Sequence, residues 1–455
     1  MVTCNCLKGR LVVSMSKKVK YLVIIGLLLL LSSANLVIYY FYFKNISIET
    51  IDYTYQDDKI YATIVFKNNL SGSCSYEGAY ALIESKTCIL EVPNEEQEIQ
   101  IMTKWSTKNI QINPDLHEVL SLSIENGNMY LAVGEEKKVE VKTTQIGNPD
   151  ISYVLKSENE EIVKIKENKL IGVAKGETTV SVVLGNLKEE FNVIVTDLIT
   201  TPILTKKKKS LPCNYYSESD AKLLDEILKY KVNEAGYKTR GGVVAALRFL
   251  TLEFPFKIDY FFENGRLNNN TGGRYVDAEG RFYHEGLYLS STKFSILDKN
   301  SNGWGPAIWG CPLMNWEDDG KFKPYTKYPN GLDCSGAVTW ALYQAGFNPL
   351  DTGAGINKEY HDGLGDIGPQ IKITRELLES NTLKAGDYIG SEWHAGLIGG
   401  ITDTHVYVFE STTYYDGLVM HEYTFDELLD SYFLSYVIKM DDYYEEEGNY
   451  TNYWA

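Results

Sequence analysis

Proline and histidine are scarce in this chain, with 12 and 6 among 455 residues. So few prolines beside 34 tyrosines argue against long disordered tracts, which are aromatic-poor. An excess of positive charge is also missing: 44 Lys plus Arg face 61 Asp plus Glu, a net charge of −17. A nucleic-acid partner is therefore not expected, because nothing would neutralise its phosphates. The Asp351–Gly355 segment lacks the strand–helix setting of a phosphate loop, and the acidic run Asp441–Glu447 lacks EF-hand spacing. Neither a cofactor nor a metal is expected.

The chain is too long for one ordinary domain. Residues 1–20 carry Lys8, Arg10, Lys17, Lys18 and Lys20 and no acid, so the acidic excess lies beyond them. From Tyr21 to Phe43 run 23 uncharged residues, enough helix to cross about 30 Å of hydrocarbon. Tyrosines 39, 40 and 42 lie at its far end, as interfacial aromatics do. The expectation is a cytoplasmic tail over 1–20, a single transmembrane helix over 21–43 and extracellular domains beyond. The competing expectation is a signal peptide cleaved after Ala34, within Ser32-Ser33-Ala34; against it, the apolar stretch continues nine residues further.

Cysteine is sparse too. Cys4 and Cys6 fall in the tail, leaving Cys74, Cys88, Cys213, Cys311 and Cys334, an odd number. Cys74 and Cys88 lie 14 apart in one β-rich segment, where a bridge adds about 3 kcal/mol. Cys213 and Cys311 either pair with each other or are buried thiols. If both bridges form, Cys334 is the free thiol.

Residues 45–127 read as a β-sandwich. In KIYATIVF, Ile60, Ala62, Ile64 and Phe66 alternate with Tyr61, Thr63 and Val65, the period of a half-buried strand. Residues 128–197 hold several short strands separated by Gly172, Lys175-Gly176 and Gly185-Asn186, the spacing of a second sandwich. Through LAVGEEKKVEV, GVAKGETTV and FNVIV this segment resembles the group 2 bacterial immunoglobulin-like domain, which implies a spacing or adhesive module. Residues 198–212, with Lys206–Lys209, read as a solvated linker. From Ser217 the apolar period becomes 3.6: Leu223, Leu224, Ile227 and Leu228 form a stripe, with Ser217 as cap and Gly236 as stop. A second helix is expected over Gly241–Leu252, and residues 264–330 as a long irregular insertion. Helices followed by strands make 213–455 an α+β domain.

The chemistry concentrates in two stretches. In NGLDCSGAVTWALYQAGFNP, Cys334 opens an apolar helix that Gly346 closes. A helix N-terminus stabilises an anion such as a thiolate, and Ser335 and Gly336 leave a substrate room to approach. Sixty residues on, LKAGDYIGSEWHAGLIGGI places His394 at the start of a glycine-rich apolar strand. An imidazole there takes the thiol proton and later protonates a leaving amine. Such a histidine needs an orienting partner. The next strand, HVYVFEST, offers Glu410 and His405 on opposite faces. Glu410 shares its face with Val406 and Val408 and is preferred, since a carboxylate among apolar neighbours needs a partner.

DCSG, then GD, then HAG and a hydrophobic strand resemble the NlpC/P60 superfamily of papain-like cell-wall peptidases. The resemblance implies a papain-like fold, a catalytic set of Cys334, His394 and Glu410, and substrate contact by Asp333, Ser335 and Tyr260. The family's third residue is more often His, so Glu410 is a departure. The family's upstream Tyr corresponds either to Tyr260 or to a position near Trp309. It implies an extracellular thiol endopeptidase whose partners are the peptidoglycan stem peptide and, through one helix, the cell membrane. The rival readings are a non-catalytic adhesion or wall-binding protein, and a wall amidase or acyltransferase using the same pair.

Overall fold

The computed structural model describes residues 3–7, 10–14, 17–43, 46–104, 106–124, 127–202, 217–260, 286–289, 307–309, 313–315, 326–328, 331–349, 352–356 and 362–450. Among the described residues more lie in β-strands than in helices. Its residues gather into two compact units, one of 1–121 with 143–151 and the other of 122–142 with 152–455.

In the first unit a hairpin of Thr3–Leu7 and Arg10–Ser14 precedes a helix over Lys17–Phe43. The single-pass anchor expected at 21–43 is corrected here, together with the cytoplasmic tail and the extracellular placement deduced from it. Among the described residues no helix is long and apolar enough to cross a membrane. Lys17, Lys18 and Lys20 occupy the first turn of the Lys17–Phe43 helix.

Residues 48–112 fold as two facing antiparallel sheets. One orders Ile48–Gln56, Lys59–Phe66 and Thr87–Val92; the other orders Ala79–Leu82, Gly72–Tyr76, Gln97–Thr103 and Thr107–Ile112. The alternation in KIYATIVF has its physical consequence, since Ile60, Ala62, Ile64 and Phe66 are all buried. Cys74 and Cys88 are joined by a disulfide across this core.

The second unit begins with another pair of sheets. Asn128–Ala132, Leu187–Thr196, Gly176–Leu184 and Val154–Ser157 form one, with its first pair parallel; Glu136–Lys138, Lys169–Gly172 and Val163–Lys166 form the other. The start of the expected linker is not a solvated joint. Leu198 and Ile199 are buried, and the Thr200 amide donates to the Glu253 carbonyl. Lys231 reaches back to Glu253 at 2.9 Å and Glu135 at 3.6 Å, and Tyr130 meets Tyr230 edge-on at 5.2 Å. Apolar and ionic contacts thus join this sandwich to the helices after Ser217. Residues 203–212, Lys206–Lys209 among them, lie outside the described residues.

Helix α1 (Glu218–Ala235) starts at a capping box in which Ser217 and Asp220 satisfy each other's backbone amides, and ends at Gly236 with φ 111°. Helix α2 (Arg240–Arg248) passes into a π-helical turn, Phe249–Glu253, so the expected second helix begins one residue earlier and loses its regular period after Arg248. Helix α3 (Cys334–Gln344) is buried along most of its length. A six-stranded antiparallel sheet completes the unit. Its strands β1 (Ile371–Lys372), β2 (Tyr388–Gly390), β3 (Ala395–Ile401), β4 (His405–Thr412), β5 (Gly417–Thr424) and β6 (Tyr436–Ile438) lie in the order β1-β6-β2-β3-β4-β5. Short helices Arg375–Glu379 and Phe425–Leu429 contribute Leu378 and Leu428 to a core with Ile389, Ile398, Val406, Val408 and Val437.

Arg240 anchors this unit. It is fully buried, 2.7 Å from Asp387, 2.9 Å from Asp441 and 3.0 Å from Glu447. Tyr444 stacks under its guanidinium at 4.9 Å. Burial acts against its charge, and the hydrogen bond and charge of Asp387 outweigh that, so its pKa is raised.

Most of the 264–330 insertion lies outside the described residues. What is described of it is two short pairs, Tyr288–Leu289 with Ala307–Ile308 and Leu313–Asn315 with Thr326–Tyr328.

Candidate active site

Cys334 stands at the N-terminus of α3 because Asp333 caps the helix: its carboxylate accepts from the Gly336 amide at 2.8 Å and from the Ser335 hydroxyl at 3.2 Å. Asp333 and Ser335 are both buried, so their described bonds hold the helix start. The loop before Cys334 is fixed from two sides. Leu332 donates its amide to the Asp259 carbonyl at 3.1 Å and accepts from the Ser411 hydroxyl at 2.6 Å. Gly331 bridges Asp259 so closely that a Cβ there would lie 1.9 Å from the Asp259 carbonyl oxygen. Only glycine permits that approach. Tyr260 follows Asp259 in this segment and is half-buried, while Trp309 is fully buried and donates its backbone amide to Leu287.

His394 sits at the entry to β3, 7 % exposed. Its Nε2 lies 2.7 Å from Glu410 Oε2, which leaves Nδ1 for Cys334. Burial presses the imidazole toward its neutral form. Hydrogen bonds with Cys334 and Glu410 outweigh that and hold its pKa up, at about 10. Glu410 is 1 % exposed. Burial favours its protonated form, but hydrogen bonds from His394 and His421 hold its pKa down, to about 2. The pair is thus arranged as imidazolium facing carboxylate, each ion supported by the other.

His405 is not beside this pair. It opens β4 at its solvent end, with Nδ1 2.7 Å from the Thr404 hydroxyl. Glu410 lies further along the same strand, opposite Gly396.

Residues that the sequence pattern did not single out complete the environment of Glu410. His421 Nδ1 and the Tyr423 hydroxyl each donate to Glu410 Oε1 at 2.8 Å. The Tyr415 hydroxyl lies 2.9 Å from His421 Nε2. The signal was in GLVMHEYT: His421 and Tyr423 share parity with Val419, so one strand face carries both. Only the pairing of β4 with β5 brings that face to Glu410.

Cys74 and Cys88 form a bridge and Cys334 is a free thiol; Cys213 and Cys311 lie outside the described residues. Among the described residues no group of three or more His, Cys, Asp or Glu is arranged to hold a metal.

No protein-family profile matches the chain, and no curated protein matches it. Among solved structures it is similar to domains 4 and 5 of the S-layer protein SbsC, at 16 % identity over 22 % of this chain and 66 % of that one, TM-score 0.18. It is also similar to the insect immune protein hemolin (10 % identity, 34 % and 46 % covered, TM-score 0.22). Domains A168–A170 of titin match at 10 % identity, with 38 % and 70 % covered and TM-score 0.20. The chain spans less than two thirds of the S-layer structures it matches first, at 66 %, 28 % and 34 % of their lengths. The expected papain-like α+β domain is corrected: strands outnumber helices among the described residues, and no family profile or curated protein links the chain to the NlpC/P60 thiol proteases.

Proposed function

We propose that Cys334, His394 and Glu410 form a thiol-based catalytic site that cleaves amide bonds through an acyl-enzyme. The observation that carries this reading is the buried series itself: a free cysteine at a helix start, a histidine whose pKa its hydrogen bond helps to raise, and a carboxylate 2.7 Å from that histidine's Nε2. The Cys334 sulfur attacks the carbonyl carbon while His394 holds the thiol proton. That proton passes to the leaving amine as the C–N bond breaks. Water then adds to the thioester, His394 takes its proton, and the carboxylic acid leaves with the thiol restored. Glu410 keeps the imidazole oriented and stabilises its charge throughout. The amide of Cys334, at the helix start, is a candidate donor to the developing oxyanion.

The substrate expected from the DCSG and HAG segments is a bacterial wall stem peptide. Purified full-length protein incubated with peptidoglycan is expected to release new amino groups, and Cys334→Ala to release none. Continued release by that variant would sink the mechanism. Mass spectrometry of the fragments separates a stem-peptide cut from amidase or acyltransferase chemistry.

A second reading has its own support in the two β-sandwich regions, which hold extensive sheet and none of the buried Cys–His–Glu chemistry. On that reading the chain is a wall-binding or adhesion protein. Retention on peptidoglycan by wild type and Cys334→Ala alike, with no amino groups released by either, would favour it.

A further inference from the structure

We infer that His421 is a positioning residue for the Cys334–His394 pair, acting through Glu410 and linked to the surface by Tyr415. The inference rests on the proposed thiol–imidazole site and deepens it.

Sheet register explains the arrangement. Glu410 lies opposite Gly396 on β3 and opposite Val419 on β5. His394 precedes Gly396 by two residues, and His421 follows Val419 by two. Both are diagonal neighbours of Glu410, within reach of a long side chain. The carboxylate therefore spans two imidazoles, with Oε2 given to His394 at 2.7 Å and Oε1 to His421 at 2.8 Å. A carboxylate held by one oxygen alone can rotate about its last bond, and a second donor on the other oxygen stops that rotation. Tyr423 supplies one such donor to Oε1, and His421 supplies the other.

His421 is itself held. Its ring lies 3.8 Å from that of Tyr423 and 4.8 Å from that of Tyr415, the latter edge-on. The Tyr415 hydroxyl meets its Nε2. The titratable groups around it are Glu410 on β4, Tyr415 in the turn between β4 and β5, and Tyr423 on its own strand. Glu427, on the helix Phe425–Leu429, raises the pKa of both tyrosines only as a lesser contributor, behind burial and Glu410. A histidine that served only packing would need neither its bond to a buried catalytic carboxylate nor a second partner on its other nitrogen.

The test needs no substrate. Full-length protein is treated with iodoacetamide across pH, and carbamidomethylation of the Cys334 peptide is timed by mass spectrometry. In wild type the rate at neutral pH depends on the imidazolium beside the sulfur. His394→Ala and Glu410→Gln are expected to slow it and move its rise to higher pH; if neither does, the thiol–imidazole site itself is wrong. His421→Ala is expected to slow it about 10-fold, the scale of one hydrogen bond to a charged group, with its rise also moved to higher pH. His421→Asn, which keeps an amide N–H where Nδ1 was, should restore most of the rate. Tyr415→Phe, which leaves the core untouched, should show a smaller slowing in the same sense. If His394→Ala and Glu410→Gln slow the reaction while His421→Ala and Tyr415→Phe match wild type, His421 is structural and the inference falls. It also falls if His421→Asn reacts no faster than His421→Ala while both melt at the wild-type temperature.

Discussion

His394 and Glu410 meet across neighbouring strands, Nε2 2.7 Å from Oε2, with a glycine two residues after His394 paired to the carboxylate's residue. That glycine, Gly396, faces Glu410 in the β3–β4 register. A Cβ added to it would lie 2.9 Å from the Phe409 carbonyl oxygen and 3.0 Å from Val408 Cγ1. Gly396→Ala is therefore expected to push the two strands apart and to cost about 1–3 kcal/mol, as overpacking does. Chemical denaturation measures the loss. The same variant should slow Cys334 alkylation, since the imidazole and carboxylate separate with the strands.

Loss of the carboxylate charge tests the pair directly. Glu410→Gln keeps the volume and one acceptor but removes the ion that supports the imidazolium. Amide cleavage by Glu410→Gln is expected to fall on the order of 10²- to 10⁴-fold in kcat with little change in KM. His405→Ala is expected to leave both constants near wild type, because His405 lies at the other end of β4. Under the proposed amide-cleaving function, steady-state kinetics decides between them, and a larger loss from His405→Ala would overturn the assignment.

The two shifted groups also set a pH dependence of stability. Glu410, lowered from 4.5 to about 2 in the fold, stabilises the protein above pH 4.5, and that contribution is lost as pH falls through about 2. His394, raised from 6.5 to about 10, stabilises it fully below pH 6.5, and that contribution is lost as pH rises through about 10. Thermal melting should be flattest between those limits, with arms descending on both sides. In Glu410→Gln the acid arm should weaken, and the alkaline arm should weaken with it, because the imidazolium loses its partner. An unchanged profile in that variant would contradict the ion pair.

Arg240 offers a test of architecture apart from chemistry. It is 0 % exposed and Asp387 1 %, so Arg240→Met leaves a buried carboxylate without its cation. The expected cost is about 3–5 kcal/mol, read as a lowered denaturation midpoint. Asp387 accepts not only from Arg240 but also from the Lys384 and Met440 amides, so its loss would also loosen the approach to β2. A variant as stable as wild type would show that those amides suffice.

The Cys74–Cys88 bridge closes a 14-residue separation in the first sandwich. Replacing both cysteines with alanine is expected to cost about 3 kcal/mol and to leave Cys334 alkylation unchanged. Calorimetry and the alkylation assay together check both halves of that expectation.

Much of this protein follows from local pattern. Alternation in KIYATIVF buries Ile60 to Phe66 without reference to anything distant, because side chains in a strand point to opposite faces by geometry. Ser217, Asp220 and Gly236 bound α1 because the capping groups are near in sequence to the amides and carbonyls they satisfy. Cys334 at a helix start, His394 at a strand start and the parity of Glu410 are likewise local facts.

The rest depends on pairing across distance. Leu198 and Ile199 are buried, and Thr200 beside them bonds to Glu253, in a stretch that composition alone reads as a linker. His421 is the clearest instance. Its type and parity are visible in GLVMHEYT, but its meeting with Glu410 is set by the turn that pairs Thr412 with Gly417. A shift of one residue would send both His421 and Tyr423 to the other face. The sequence by itself determined the cysteine, the histidine and the face on which the carboxylate sits. The tertiary structure decided that this carboxylate lies between two histidines, because register across a sheet is a relation between strands.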